Sequence, residues 1–182
     1  MFKSQYRPEI DTLRALAVMG VIIYHAKIYL FGNLIFSGGF LGVDIFFIIS
    51  GYLITSIILK ELIEKENFSF KNFYIKRVRR ILPALLFVIL LSIPFSWIYL
   101  FPIDLVNFSK SILYSLGFGS NFYFHFSGLE YGSPESLLKP FLHTWSLSVE
   151  EQYYILFPIG LVALFKNFRK QLIYFLIICF FI

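Results

Sequence analysis

Long apolar runs alternate with short polar breaks along the chain, and the lengths of the runs fix the first reading. A bilayer core is about 30 Å thick and an α-helix rises about 1.5 Å per residue, so a spanning helix needs roughly 20 apolar residues. Four stretches meet that length, at residues 13–31, 40–59, 81–101 and 145–165. The turn GNLIFSGG separates the first two and predicts a helical hairpin. Lys60 to Arg80 carries seven basic and three acidic residues and is too polar to span. The stretch at 108–125 is apolar but broken by Lys110, Gly117 and Gly119, which predicts a re-entrant or interfacial segment. The final run, residues 172–182, is 11 residues long, or roughly 17 Å of helix, and reads as a transmembrane helix cut short. The expected fold class is therefore all-α: a polytopic transmembrane helical bundle over residues 1–182, one domain, incomplete at its C-terminus.

Composition agrees with the pattern. Of 182 residues, 58% are hydrophobic and 15% charged, with 24 Phe and 12 Tyr, well above the apolar share of a soluble domain. In a soluble protein the net charge of +5 would suggest nucleic acid. Here the basic residues sit between apolar runs, where they set topology: Lys3 and Arg7, the 60–80 stretch and the KNFRK cluster at 166–170 all belong on the cytoplasmic side. The N-terminus is thus expected inside, and no nucleic acid partner is expected. Glu9, Asp11 and the lack of a small-residue cleavage site make the first apolar run a retained helix. Cys179 stands alone, so neither a disulfide framework nor a metal ligand set is expected. Nucleophile elbow, Walker loop and dinucleotide glycines are absent.

The polar residues inside the apolar runs are the candidates for chemistry. Arg14 and His25 are 11 residues apart, about three helical turns plus 20°, so they share one face about 16 Å apart along the axis. With Arg14 at the inner boundary, His25 is expected near or just beyond the midplane. An ionisable group there is costly unless it faces protein or water, which points to function; the plainer alternative has Arg14 snorkelling and His25 bonding a neighbouring helix. Asp44, near the outer end of the second run, either orients the His25 ring or remains a solvated end residue. In HTWSLSVEEQYY, Ser148 and Glu151 have capping-box spacing, which explains Glu151 structurally. Ser146, Glu150 and Tyr154 or Tyr153 form a polar strip suited to a hydroxylated acceptor, with His143 and Trp145 at its rim. Arg77 and Arg80, three apart, suit a polyphosphate, although topology alone also calls for basic residues there. His125 receives no role.

Together the Arg14/His25 pair, GVDIFFIISG, RVRR and HTWSLSVEEQYY resemble acyltransferase family 3, the integral membrane acyltransferases of surface carbohydrates. The resemblance covers the whole chain, and that family is longer, so the chain looks like its N-terminal part. It implies a multi-pass protein of the bacterial inner membrane, a cytoplasmic acyl-coenzyme A donor, commonly acetyl, and an outward-facing hydroxyl acceptor on a lipid-linked or surface glycan such as lipopolysaccharide. By resemblance His25 is catalytic, Arg14 is needed with it, Arg77 and Arg80 lie on the cytoplasmic side and Glu150 belongs to a functional motif. A mechanism follows in which Arg14, Arg77 and Arg80 hold the coenzyme A phosphates. His25 takes the proton of the attacking hydroxyl with Asp44 fixing its tautomer, or else carries the acyl group itself. No permanently bound cofactor is expected, and the oligomeric state is not legible. The rival readings are a proton-coupled transporter subunit, since buried His, Asp and Glu also relay protons, and an inactive fragment.

Overall fold

The structure of the chain, a computed structural model, describes residues 7–31, 33–127, 139–168 and 171–181. Lys3, Arg169 and Lys170, used in the topology argument, lie outside the described residues. In chain order the elements are α1 (Pro8–His25), β1 (Tyr29–Leu30), β2 (Asn33–Leu34), α2 (Leu41–Lys65), α3 (Phe70–Tyr99), α4 (Pro102–Leu116), α5 (Ser120–Phe126), α6 (Thr144–Asn167) and α7 (Leu172–Phe181). The two short strands pair antiparallel in the turn between α1 and α2. By length and composition α2 and α3 can cross a membrane, with mean hydropathies of 2.0 and 2.4. Only 28% and 17% of their most apolar stretches are buried within the chain, whereas the core helix of a soluble protein would be mostly covered. Phe87, Leu90, Phe95 and Trp97 of α3 all face outward, a surface that needs lipid. The chain is an all-α membrane protein.

Two compact units make up the chain, one formed by Met1–Phe68 with Gly160–Ile182 and the other by Ser69–Ile159. In the first, α1 packs antiparallel on α2 through small residues. A Cβ on Gly42 would stand 2.5 Å from the Ala17 carbonyl oxygen, and one on Gly39 2.2 Å from that of Gly20, so only glycine admits this approach of the backbones. Arg7, at the N-cap of α1, donates to the Tyr52 hydroxyl on α2 and pairs with Glu9 at 2.9 Å. Tyr52 first, then Glu9, raises the Arg7 pKa further.

The stretch from Lys60 to Arg80, too polar to span, is nevertheless mostly helical. Its charges ride on the ends of α2 and α3, with Lys65 paired to Glu61 one turn back at 3.3 Å, and Ile58 and Leu62 beside them are buried. Glu66, in the left-handed conformation (φ 53°), ends α2, and the Ser69 side chain accepts the Asn72 N–H at 3.4 Å to start α3. Only the four residues 66–69 separate the two helices.

In the second unit the apolar segment read as re-entrant or interfacial is built of two helices, α4 and α5, broken at Gly117–Gly119. Leu85 and Ile89 of α3, Phe108 of α4, Phe124 of α5 and Phe141 just before α6 form its core. A chain of buried hydroxyls ties α6 to this pair: Ser115 to Thr144 at 2.8 Å, Thr144 to Ser120 at 3.0 Å and Ser120 to Ser148 at 2.7 Å. Beside it the side-chain amide of Gln152 donates to the Phe118 carbonyl (2.7 Å) and to Asn121 (2.9 Å). The capping-box reading of Ser148 and Glu151 is therefore wrong. Helix α6 begins four residues earlier, at Thr144, and the Ser148 hydroxyl accepts the Ser120 N–H at 3.2 Å. It caps α5, not its own helix, because first-turn N–H groups need a partner wherever one is within reach.

Candidate functional site

In the first unit α1 runs unbroken from Pro8 through Arg14 to His25, so the 11-residue step between these two is a true helical step. Its position differs from expectation. His25 is the last residue of α1 and exposed, not within a longer helix, because the backbone caps at Ala26 and reverses through Lys27 (φ 47°). The neighbouring Tyr24 packs against Gly39 and Phe40 at the start of α2, which sets His25 at the end of the α1–α2 contact.

The His25 Nδ1 lies 2.8 Å from the Val21 carbonyl oxygen. A carbonyl can only accept, so Nδ1 carries the hydrogen and, in the neutral ring, the lone pair is on Nε2. A backbone carbonyl thus supplies the tautomer control expected from Asp44. The ring also meets Tyr24 edge-on at 5.3 Å. Asp44 is exposed in the first turn of α2, where a carboxylate suits the helix N-terminus. Arg14 is half-buried, and its Nε–H is buried with no acceptor among the described residues.

The second unit gathers a different set. The Arg77 guanidinium sits 4.9 Å over the Tyr154 ring and 5.4 Å from that of Phe73, one turn back on α3. The Tyr154 hydroxyl donates to Glu150 Oε1, and the charges of Glu151, Glu150 and Arg80 all reach Arg77. Tyr74 fastens the same helix pair by donating to the Ile155 carbonyl at 3.1 Å. Glu151 is 8% exposed, and its Oε1 has no hydrogen-bond partner among the described residues. Arg80 is exposed.

Of the polar strip, Tyr154 and not Tyr153 joins Glu150; Tyr153 stacks on Phe157 at 4.6 Å. Ser146, at the start of α6, donates to the His143 carbonyl at 3.1 Å. Trp145 lies half-buried beside it, and the exposed His143 ring stacks on Phe141 at 6.4 Å. Sequence reasoning missed the contact of Arg77 with Tyr154, the partner of Glu150. The only sequence signal was the i, i+4 spacing of Glu150 and Tyr154, and nothing in it linked them to a residue about 70 positions earlier.

Comparison with known proteins agrees with the motifs. A Staphylococcus aureus (strain MSSA476) protein provisionally named an O-acetyltransferase is 40% identical over 170 residues, 93% of this chain and 27% of its own length. The O-acetyltransferase OatA of S. aureus (strain NCTC 8325 / PS 47) is 36% identical over 171 residues, 94% of this chain and 27% of its own. The chain thus spans about a quarter of the length of these curated relatives. No solved structure matches it. The acyltransferase domain family matches residues 7–182. With that match over nearly its whole length, and with the motifs of α1, α2, α3 and α6 in order, the chain belongs to the acyltransferase 3 family.

Proposed function

We propose that the chain belongs to a membrane O-acyltransferase that moves an acyl group, acetyl by analogy with its relatives' names, from cytoplasmic acyl-coenzyme A to a hydroxyl of a lipid-linked or surface glycan. The protein crosses the bacterial inner membrane several times with its N-terminus inside. Family membership supports transfer to oxygen. The observation that carries the assignment to His25 is its Nδ1 bond to Val21, which leaves Nε2 as the basic nitrogen of the neutral ring.

In the proposed reaction the acceptor hydroxyl attacks the thioester carbonyl as its proton passes to Nε2 of His25. The tetrahedral adduct then expels the coenzyme A thiolate, which recovers the proton as free thiol, and the products are an ester and coenzyme A. Such general base catalysis contributes about 10²- to 10⁴-fold. Arg14 of the first unit and, separately, Arg77 and Arg80 of the second are each assigned to the donor by charge and family motif. The unspent Nε–H of Arg14 suits an anionic oxygen, and the basic end of α3 suits the nucleotide phosphates. Glu150, Ser146, Trp145 and His143 form the acceptor side, and Asp44 holds charge at the outward end of α2.

The test is release of free thiol from acetyl-coenzyme A by membranes carrying the chain, with and without a glycan acceptor. Acceptor-dependent thiol release that is lost in His25→Ala at equal membrane level is expected. Solute movement without thiol release would instead identify a transporter.

A further inference from the structure

Two of the three arginines of RVRR, Arg77 and Arg80, three residues apart on α3, meet different surroundings. Arg77 is half-buried and packed between the Phe73 and Tyr154 rings; Tyr154 in turn donates to Glu150, and the charges of Glu150 and Glu151 reach the guanidinium. A guanidinium stacked in this way retains few directions for a new ligand, and Glu150 and Glu151 beside it would repel a polyphosphate. Glu151 is buried with one oxygen unpaired, and a buried carboxylate is costly to keep charged without a nearby cation. Arg80, by contrast, is exposed next to exposed Lys76 and Arg79.

We propose that Arg77 is a positioning residue, the counter-charge that fixes Glu150, Tyr154 and Glu151 of α6 on α3, and that contact with the donor's phosphates falls to Arg80. The proposal rests on the donor reading above and divides its work. Loss of Arg80 removes a charge-assisted contact with a phosphate. Loss of Arg77 removes a positive charge from the surroundings of the α6 carboxylates and displaces the strip that carries Glu150.

The test uses the purified chain in detergent and two probes, coenzyme A and pantetheine, which lacks every phosphate. Arg80→Gln should weaken coenzyme A binding about tenfold or more, leaving pantetheine affinity and the thermal midpoint unchanged. Arg77→Gln should lower the midpoint by several degrees and weaken both probes by the same factor. Adding Glu151→Gln to it should restore the midpoint, because the stranded carboxylate goes with the cation, a rescue that lost packing alone would not give. If Arg77→Gln instead weakens coenzyme A alone at an unchanged midpoint, Arg77 touches the phosphates and the proposal is overturned while the donor reading stands. If the double variant melts with the single one, the counter-charge role is overturned. If the parent chain binds coenzyme A no more tightly than pantetheine, the donor reading of this face fails, and Arg80's part with it.

Discussion

Replacing Gly42 with Ala tests how the position of His25 is held. In an ordinary helix this change is favourable by about 1 kcal/mol. Here the new Cβ would sit 2.5 Å from the Ala17 carbonyl oxygen and 2.7 Å from Val21 Cγ2, nearly an ångström inside the 3.4 Å at which ordinary contact begins. The near obstacle is backbone of α1, which cannot rotate away, so the two helices must separate. Overpacking of this kind costs about 1–3 kcal/mol, and the balance is a net loss of up to about 2 kcal/mol. Gly38→Ala is the matched control, because its Cβ would meet nothing closer than 4.0 Å. Gly20→Ala is intermediate, meeting the edge of the Phe36 ring at 3.0 Å and the Gly39 backbone at an ordinary 3.8 Å. Thermal unfolding in detergent should rank the variants Gly38→Ala, Gly20→Ala, Gly42→Ala from most to least stable. Transfer should fall furthest in the last, since misplacing a catalytic group by about 1 Å costs on the order of 10²-fold. Equal stability of Gly42→Ala and Gly38→Ala would refute the claim that α1 is held on α2 by glycine.

Other perturbations address the second unit. Ser148→Ala should lower stability by about 1–3 kcal/mol, since it strands the buried Ser120 N–H and leaves the Ser120 hydroxyl with Thr144 alone, and a melting curve reads it. Ser146→Ala, which loses only a local bond to the His143 carbonyl, should cost under about 1 kcal/mol by the same assay. Tyr154→Phe retains the ring under Arg77 and loses only the bond to Glu150, so it should melt well above Tyr154→Leu, which loses both.

The helices were legible because the apolar runs have bilayer length, and Gly117 and Gly119 marked the break between α4 and α5. Other features were hidden by tertiary contact. The apolar run through Ile28 to Phe31 gave no sign that α1 would stop at His25, since what stops it is the turn that returns the chain onto Gly39. Ser148 had the right chemistry for a cap, and its target lay on another helix. Glu151, explained away by local spacing, is buried within electrostatic reach of Arg77, which only the fold brings near. Arg14, His25, Glu150 and the Arg77–Arg80 pair stood out because charge within an apolar chain is rare. The pairing of Arg77 with α6 required coordinates.

The most direct measurement of the central claim is mass spectrometry of surface glycans from cells expressing the chain, beside its His25→Ala variant at matched membrane level. The account predicts a hydroxyl-linked acyl mass increment in the first sample and none in the second. An increment that survives loss of His25, or no increment in either sample, would contradict it.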